Sequence, residues 1–340
     1  MKLRFGFLSL VLLSILFVGV VNTSCDSNEI VYDNDPQGNF DALWNILDKN
    51  YCFFEYKKIN WDSIGVSYRA RVTSKMGNDA LFDLMALMLS ELKDGHVNLI
   101  ASHDITRYWS WKEDFPTNFN PIIVDKYLKD YASASGMKYK ILEDNVGYIY
   151  YGSFSNPVSE SGLNQILNRM SICKGIILDV RNNGGGSLVN VDRIAGRFFN
   201  ERELVGYISH KDGPGHNDFS DLYPKYLESS NSIRFQKPVI ILANRGCYSA
   251  TNEFVSTMKY AHNATIVGDK TGGGSGFPFS SELPNGWSLR FSTSPTFNAE
   301  KQHIEFGIEP DVRLDMTAED INKMKDTYIE YARKRINSGK

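Results

Sequence analysis

Ser249 stands in the segment VIILANRGCYSATNEFVSTMKY, residues 239–260. Val239–Leu242 is an apolar, mostly β-branched run and reads as a buried strand. A glycine-containing turn follows. Apolar positions then recur every four residues at Ala250, Phe254 and Met258, the spacing of one helix face. Ser249 therefore falls at a strand–turn–helix junction, where the free N–H groups of the first helical turn face any negative charge that develops beside them. A hydroxyl in that place suits acyl transfer, with the serine as nucleophile. Serine is also a preferred N-cap, so the same position has a purely structural use. Cys247 lies in the same turn but ahead of the helix start, and reads as a small buried residue.

Three other segments carry chemistry-bearing residues. LKDGHVNLI (92–100) places His96 after Asp94 and Gly95. GIILDVRNNGGGSLVN (175–190) is a strand that ends in a triple-glycine turn and opens a helix. VGDKTGGGSGFP (267–278) is followed by HIEFGIEPDV (303–312). Consecutive glycines let backbone approach a substrate closely and adopt positive φ.

Taken in order, with the Ser-Ala step and the closing Gly-Ile-x-Pro-Asp, the four segments resemble the carboxyl-terminal processing (tail-specific) serine proteases, in their tricorn-like and interphotoreceptor-retinoid-binding-protein-like branch. The resemblance covers roughly residues 37–335. It implies a serine peptidase with Ser249 as nucleophile. It also implies an oxyanion hole from the N–H of Gly185 or Gly186 together with that of Ala250. The tail-specific branch uses a lysine base in a Thr-x-Gly-Lys setting, but here Thr271 is followed by Gly272, Gly273 and Gly274. Lys270 lies on the wrong side of Thr271, and Lys259 reads as a solvated helix residue. The tricorn-like branch uses a histidine from the Asp-Gly-His segment, held by a carboxylate near the Gly-x-x-Pro-Asp motif. His96 and Glu305 are the matching positions. A histidine base, with its ordinary pKa of about 6.5, suits a rate that rises near neutral pH. A carboxylate on the far ring nitrogen would fix its tautomer.

The elements that must position these residues follow from patterning. Phe40, Leu43, Trp44 and Leu47 make one amphipathic stripe; Ala80, Leu81, Leu84, Met85 and Met88 make another. Residues 37–100 read as a small helical domain that delivers His96, and 101–137 as a connecting segment whose Tyr108, Trp109 and Trp111 form either a satellite core or a wall of the cleft. Residues 138–336 read as the protease core of alternating strands and helices. Its strands are expected at Tyr139–Leu142, Val146–Tyr151, Gly175–Val180, Leu204–Ser209, Val239–Leu242, Thr265–Val267 and Trp287–Ser292. The connection Lys211–Gln236 is expected as a loop near the cleft. A C-terminal helix is expected over Met316–Ile336, capped by Thr317 and burying Ile321, Met324, Tyr328 and Ala332. The fold class is α/β, and the resemblance implies a Clp/crotonase-like layered core. Only about 40 residues separate His96 from Tyr139, too few for a PDZ domain, so none is expected.

The chain has 340 residues, 42% of them apolar, enough for an extensive core. Phe5–Val21 is an uncharged apolar run after Lys2 and Arg4, and 1–24 read as a secretory signal. Small residues precede Cys25, as at a bacterial lipoprotein processing site. Cys25 is the expected lipidation site, and 25–36 the tether. These readings place the protein in a bacterial cell envelope, anchored by lipid and facing the periplasm or the cell surface. Cleavage before Cys25 moves the formal charge from −3 to −5. That mildly acidic balance gives no footprint for nucleic acid. Cys52, Cys173 and Cys247 show no metal-ligand spacing, and neither metal nor cofactor is expected. Gly184–Gly186 lacks the spacing of a dinucleotide turn, and Gly274 stands where a phosphate loop needs lysine. The expected partner is a peptide or protein substrate. The rival reading is a non-catalytic ligand- or polymer-binding lipoprotein on the same fold.

Overall fold

β-branched runs flanked by glycine turns build the centre of the molecule, shown here in a computed structural model that describes residues 31–339. The expected signal segment, Cys25 and the first half of the tether lie outside the described residues. The chain opens with helices α1 (Pro36–Asn50), α2 (Phe54–Lys57), α3 (Trp61–Arg69) and α4 (Asn78–Ser90). Strand β1 (Asn98–Ile100), helices α5 (Ser110–Glu113) and α6 (Pro121–Tyr127), and strands β2 (Ala132–Ala134), β3 (Met137–Ile141) and β4 (Gly147–Tyr150) follow. Next come α7 (Glu160–Met170), β5 (Ile176–Asp179), α8 (Leu188–Ala195), β6 (Glu203–Ile208), β7 (Tyr223–Leu227), β8 (Val239–Ala243), α9 (Ala250–Met258) and β9 (Ala264–Gly268). The chain closes with β10 (Pro278–Glu282), β11 (Ser288–Ser292), β12 (Thr296–Phe297), β13 (Val312–Arg313), α10 (Ala318–Asn322) and α11 (Thr327–Ser338).

The main sheet has seven strands in the order β13-β9-β8-β5-β4-β3-β2. Its middle, from β13 to β4, is parallel, and β3 and β2 are antiparallel additions. Helices cover both faces, as a parallel sheet requires. The two-residue alternation of a strand sorts the side chains. Ile176, Leu178, Val239 and Ile241 pack against α7, α8 and α9. Their neighbours Ile177, Ile240 and Leu242 pack against α6 and α11. This is the layered α/β core expected, and the interval between His96 and β2 holds only β1, α5 and α6.

The N-terminal helices do not close a core of their own. Phe40, Leu43, Leu47, Leu84, Met85 and Met88 share one apolar cluster with Leu283, Trp287, Leu289 and Phe291 around the β10–β11 hairpin. Ala80, expected in the α4 stripe, is exposed, and Phe82 is buried instead. Strand β1 adds to the same hairpin, pairing Asn98 with Arg290. At three residues it carries too little alternation to be read from the sequence. The segment expected as a loop near the cleft, 211–236, contains β7, which pairs with β6.

The C-terminal helix is two helices. Thr317 caps α10 through Asp320, as expected. A second cap, Asp326, accepts from Tyr328 and Ile329 and starts α11. Asp326 is buried because its carboxylate also meets Arg181 at 3.0 Å, and Arg181 is held by Asp179 at 2.6 Å on β5. That pull breaks the helix. Ile321 and Met324 are left 37% and 41% exposed, whereas Tyr328, Ile329, Ala332 and Ile336 are buried. Removing one partner from a buried ion cluster leaves charge uncompensated. Asp326→Ala is expected to lower stability by about 3–5 kcal/mol, read by urea denaturation. A loss near the ~1 kcal/mol of a helix cap alone would show that the pairing with Arg181 contributes nothing.

Candidate active site

Strands β5 and β8 are parallel neighbours, so the turns that leave their C-terminal ends lie side by side. One is the triple-glycine turn, the other the turn into α9. A Cβ on Gly185 would stand 2.7 Å from the Ser249 Cβ and 2.9 Å from the Ala250 nitrogen. Only glycine permits that approach, and its φ of 101° is open to glycine. Gly185 donates its own N–H to Asn183 Oδ1 at 3.0 Å. Of the expected oxyanion donors, Gly186 and Ala250 therefore keep N–H groups without an acceptor among the described residues.

Ser249 does not cap its helix; its side chain makes no capping hydrogen bond. Its backbone is at φ 58° and ψ −124°, a conformation that disfavours any side chain. The turn is held by Ser249 N–H donating to Gly273 at 2.9 Å and Tyr248 N–H donating to Asn183 at 3.1 Å. Ser249 Oγ lies 3.0 Å from His96 Nε2. His96 Nδ1 lies 3.0 Å from the Ser275 carbonyl oxygen. A carbonyl only accepts, so the proton of the neutral ring sits on Nδ1 and Nε2 is free to accept from Ser249.

Glu305 does not touch the imidazole, contrary to expectation. Its Oε2 accepts from Ser275 N–H at 2.8 Å and from Ser275 Oγ at 3.2 Å. It thus fixes the residue whose carbonyl fixes His96. The Gly272–Gly274 turn carries Ser275 past Glu305, with Gly274 N–H donating to the Glu305 carbonyl at 3.0 Å. That turn puts a backbone acceptor where a carboxylate was expected.

Behind the ring lies a buried ionic cluster that motif reading did not assign. Lys57 Nζ stands 2.8 Å from Glu305 Oε1 and 3.3 Å from Asp94 Oδ2. Asp94 Oδ1 accepts from the His96 backbone N–H at 2.8 Å, and Oδ2 accepts from the Tyr51 hydroxyl at 2.9 Å. Lys57 is on α2, where nothing in Phe-Glu-Tyr-Lys marks it; Asp94 was visible in the Asp-Gly-His triplet but carried no role. Burial lowers Lys57 and the two carboxylates raise it further, so it stays charged. One ammonium cannot fully offset two carboxylates. Burial, against Lys57 and with Asp94, pushes Glu305 up to about 7, while Asp94 is held low by Lys57 and His96 against its burial. Burial pushes His96 down to about 4, opposed by Asp94 and assisted by Arg290.

The lysine alternatives are placed elsewhere. A side chain on Gly274 would enter the Tyr248 ring at 2.2 Å, so the tail-specific lysine position is filled by an aromatic ring. Lys270 pairs with Glu309 at 2.9 Å, and Lys259 pairs with Asp311. Cys247 is buried, donates to the Val180 carbonyl at 3.1 Å and is pushed up to about 12 by burial; it is a core residue. Tyr248 stacks on Trp111 with centroids 4.1 Å apart. Together with Tyr108 and Trp109, Trp111 walls a cleft of about 1020 Å³ that opens on Ser249, His96 and Gly184–Gly186.

The sequence model described as peptidase family S41 matches residues 145–314, half of the chain, and the tricorn protease C1 domain matches 32–90. The chain belongs to peptidase family S41. A crystal structure of a protein from Parabacteroides merdae is 52% identical, with a TM-score of 0.86 over 89% of this chain and 97% of that one. Mature CPAF is similar in fold alone, at 12% identity and a TM-score of 0.69 over 90% of this chain and 98% of that one. Among S41 relatives, the carboxy-terminal-processing protease of Bartonella bacilliformis is 25% identical over 193 residues, 55% of this chain and 42% of that protein. The carboxy-terminal processing protease CtpA of Bacillus subtilis is 22% identical over 177 residues, 51% of this chain and 36% of that protein. The chain thus spans about two fifths of the length of these curated relatives.

Two outcomes are expected of this geometry. Lys57→Met leaves two carboxylates buried without a cation and should cost about 3–5 kcal/mol in denaturant unfolding; an unchanged midpoint would show that the ion cluster is not coupled to the fold. Ser249→Gly relieves a backbone costing roughly 1–3 kcal/mol, less the ~0.5–1 kcal/mol entropic cost of glycine. Its melting temperature should therefore be equal or higher, and a clear fall would contradict the strained turn.

Proposed function

We propose that this S41 chain is a serine peptidase in which Ser249 attacks a peptide carbonyl and His96 is the general base. The observation that carries this reading is the 3.0 Å approach of His96 Nε2 to a Ser249 hydroxyl that caps nothing, in a strained turn beside the triple-glycine segment. Backbone strain at a surface hydroxyl fits a reactive site better than a passive binding surface.

The reaction runs in two halves. His96 Nε2 takes the Ser249 proton as Oγ bonds to the carbonyl carbon, and the carbonyl π electrons move to oxygen. The N–H groups of Ala250 and Gly186 receive that oxyanion; a single such donor is worth about 10²–10³ in rate. The imidazolium is stabilised by the Ser275 carbonyl at Nδ1 and by the nearby Asp94 carboxylate. It returns its proton to the leaving nitrogen as the C–N bond breaks, leaving an acyl-serine. Water then attacks the acyl carbon, His96 takes the water proton, and Ser249 leaves with it. Glu305 acts as a positioning residue through Ser275. Export and a lipid anchor at Cys25 complete the proposal. They rest on the sequence alone, and loss of the acyl mass in Cys25→Ala is the outcome expected for them.

Activity and pH test this reading. Ser249→Ala should abolish both peptide hydrolysis and labelling by a fluorophosphonate probe, and full activity in that variant would sink the assignment. His96→Ala should lower kcat by about 10²–10⁴, and Lys270→Ala should not. The base works only when neutral and its pKa is lowered, so kcat/KM should be lost as pH falls through about 4. An acid limb near 6.5 would mean that His96 is solvated in the working enzyme.

A further inference from the structure

The charge lining the cleft is opposite to that of the chain. The full sequence carries a formal −3, yet the cleft is lined by Arg107, Lys112, Arg245 and Arg290 with Glu113 as its one carboxylate among the described residues. None of the four cations pairs with a carboxylate among the described residues, although ion pairs are common elsewhere on the surface. Two of them are engaged in building the wall. Arg245 donates to the Trp111 carbonyl at 3.0 Å and the Thr271 carbonyl at 3.2 Å, and lies 3.8 Å over the Phe115 ring. Lys112 sits 4.2 Å over Trp109.

Arg290 is different. It projects from β11, half-buried, opposite Asn98 on β1, and its guanidinium has no hydrogen-bond partner among the described residues. It lines the same cleft as Ser249 and His96. A guanidinium presents a planar fork of donors that matches a carboxylate, and a half-buried one without partners leaves those donors unused. A concave wall of one sign also concentrates field and draws oppositely charged ligands.

We propose that the cleft selects peptides bearing a carboxylate next to the scissile bond, and that Arg290 is the residue that receives it. Arg107 and Lys112 steer the same charge at the cleft mouth. The inference rests on the peptidase reading for its catalytic readout but not for its binding readout. The carboxylate comes either from an acidic side chain or from the peptide terminus, and Arg290 would bind both with the same geometry.

The test uses one quenched-fluorescent peptide core in matched forms: glutamate or glutamine beside the cleaved bond, each with a free or amidated C-terminus. With the wild-type protein, a carboxylate-bearing form should exceed the glutamine amide by roughly tenfold in kcat/KM, chiefly through KM. Added salt should shrink that ratio. Glutamate amide against glutamine free acid tells the side-chain source from the terminal one. Arg290→Gln should bring the ratio close to one, and Arg290→Lys, which keeps the charge, should retain part of it. Titration of the same peptides onto Ser249→Ala should give the same order of affinity without turnover. A preference in binding with no hydrolysis by wild type would overturn the peptidase reading and leave this one standing. Equal handling of all forms by wild type would overturn this one, as would a preference that survives Arg290→Gln intact.

Discussion

A single ammonium between two buried carboxylates ties the molecule's reactive groups to its fold. Lys57 reaches Asp94 and Glu305 at once. Asp94 holds the backbone of His96, and Glu305 holds Ser275, whose carbonyl faces the His96 ring. Four stretches far apart in sequence are thereby fixed to one another: α2, the Asp-Gly-His turn, the Gly272–Ser275 turn and the Glu305 segment. Oppositely charged partners in a low-dielectric interior tolerate little misplacement, because each displacement leaves a desolvated charge uncompensated. The cluster adds to the apolar contacts that join the N-terminal helices to the β10–β11 hairpin.

The same burial decides the protonation of the site. A histidine buried at the floor of the cleft is held neutral, and among the described residues the acceptor at Nδ1 is a carbonyl that selects one tautomer. A carboxylate in that place would make the ring more basic. A carbonyl gives orientation with less gain in basicity, while the carboxylate of Asp94 remains close enough to stabilise the charge that appears during proton transfer. The aromatic wall adds a steric condition. Tyr248, stacked on Trp111, occupies the space a side chain at Gly274 would need. The lysine-base arrangement is therefore closed to this chain by packing as well as by sequence.

Much of this was legible in the sequence where local pattern and chemistry coincide. The runs Gly175–Val180 and Val239–Leu242 became β5 and β8, and the turns after them brought Gly185, Gly186, Ser249 and Ala250 together, because parallel neighbours present their C-terminal ends on one edge. His96 was legible through its motif. What was not legible depends on contacts between distant residues. Lys57 sits in a stretch with no motif, and its role exists only once α2 packs beside residues 94 and 305. Ser275 contributes a backbone carbonyl, which no residue type announces. Glu305 was found as a position but not as a geometry, since one intervening residue changed its partner. Asp326 broke the terminal helix because Arg181, 145 positions away, needed a second carboxylate. Arg290 faces the cleft only because β1 and β11 pair.

The buried network holds His96 neutral, protonated on Nδ1, with Nε2 turned to Ser249. Nitrogen-15 NMR of histidine-labelled protein reads both properties directly. An Nδ1–H, Nε2-unprotonated pattern is expected for the resonance that disappears in His96→Ala. That pattern should be unchanged through neutral pH and should titrate only near pH 4. A proton on Nε2, or a titration midpoint near the ordinary value of about 6.5, would contradict it.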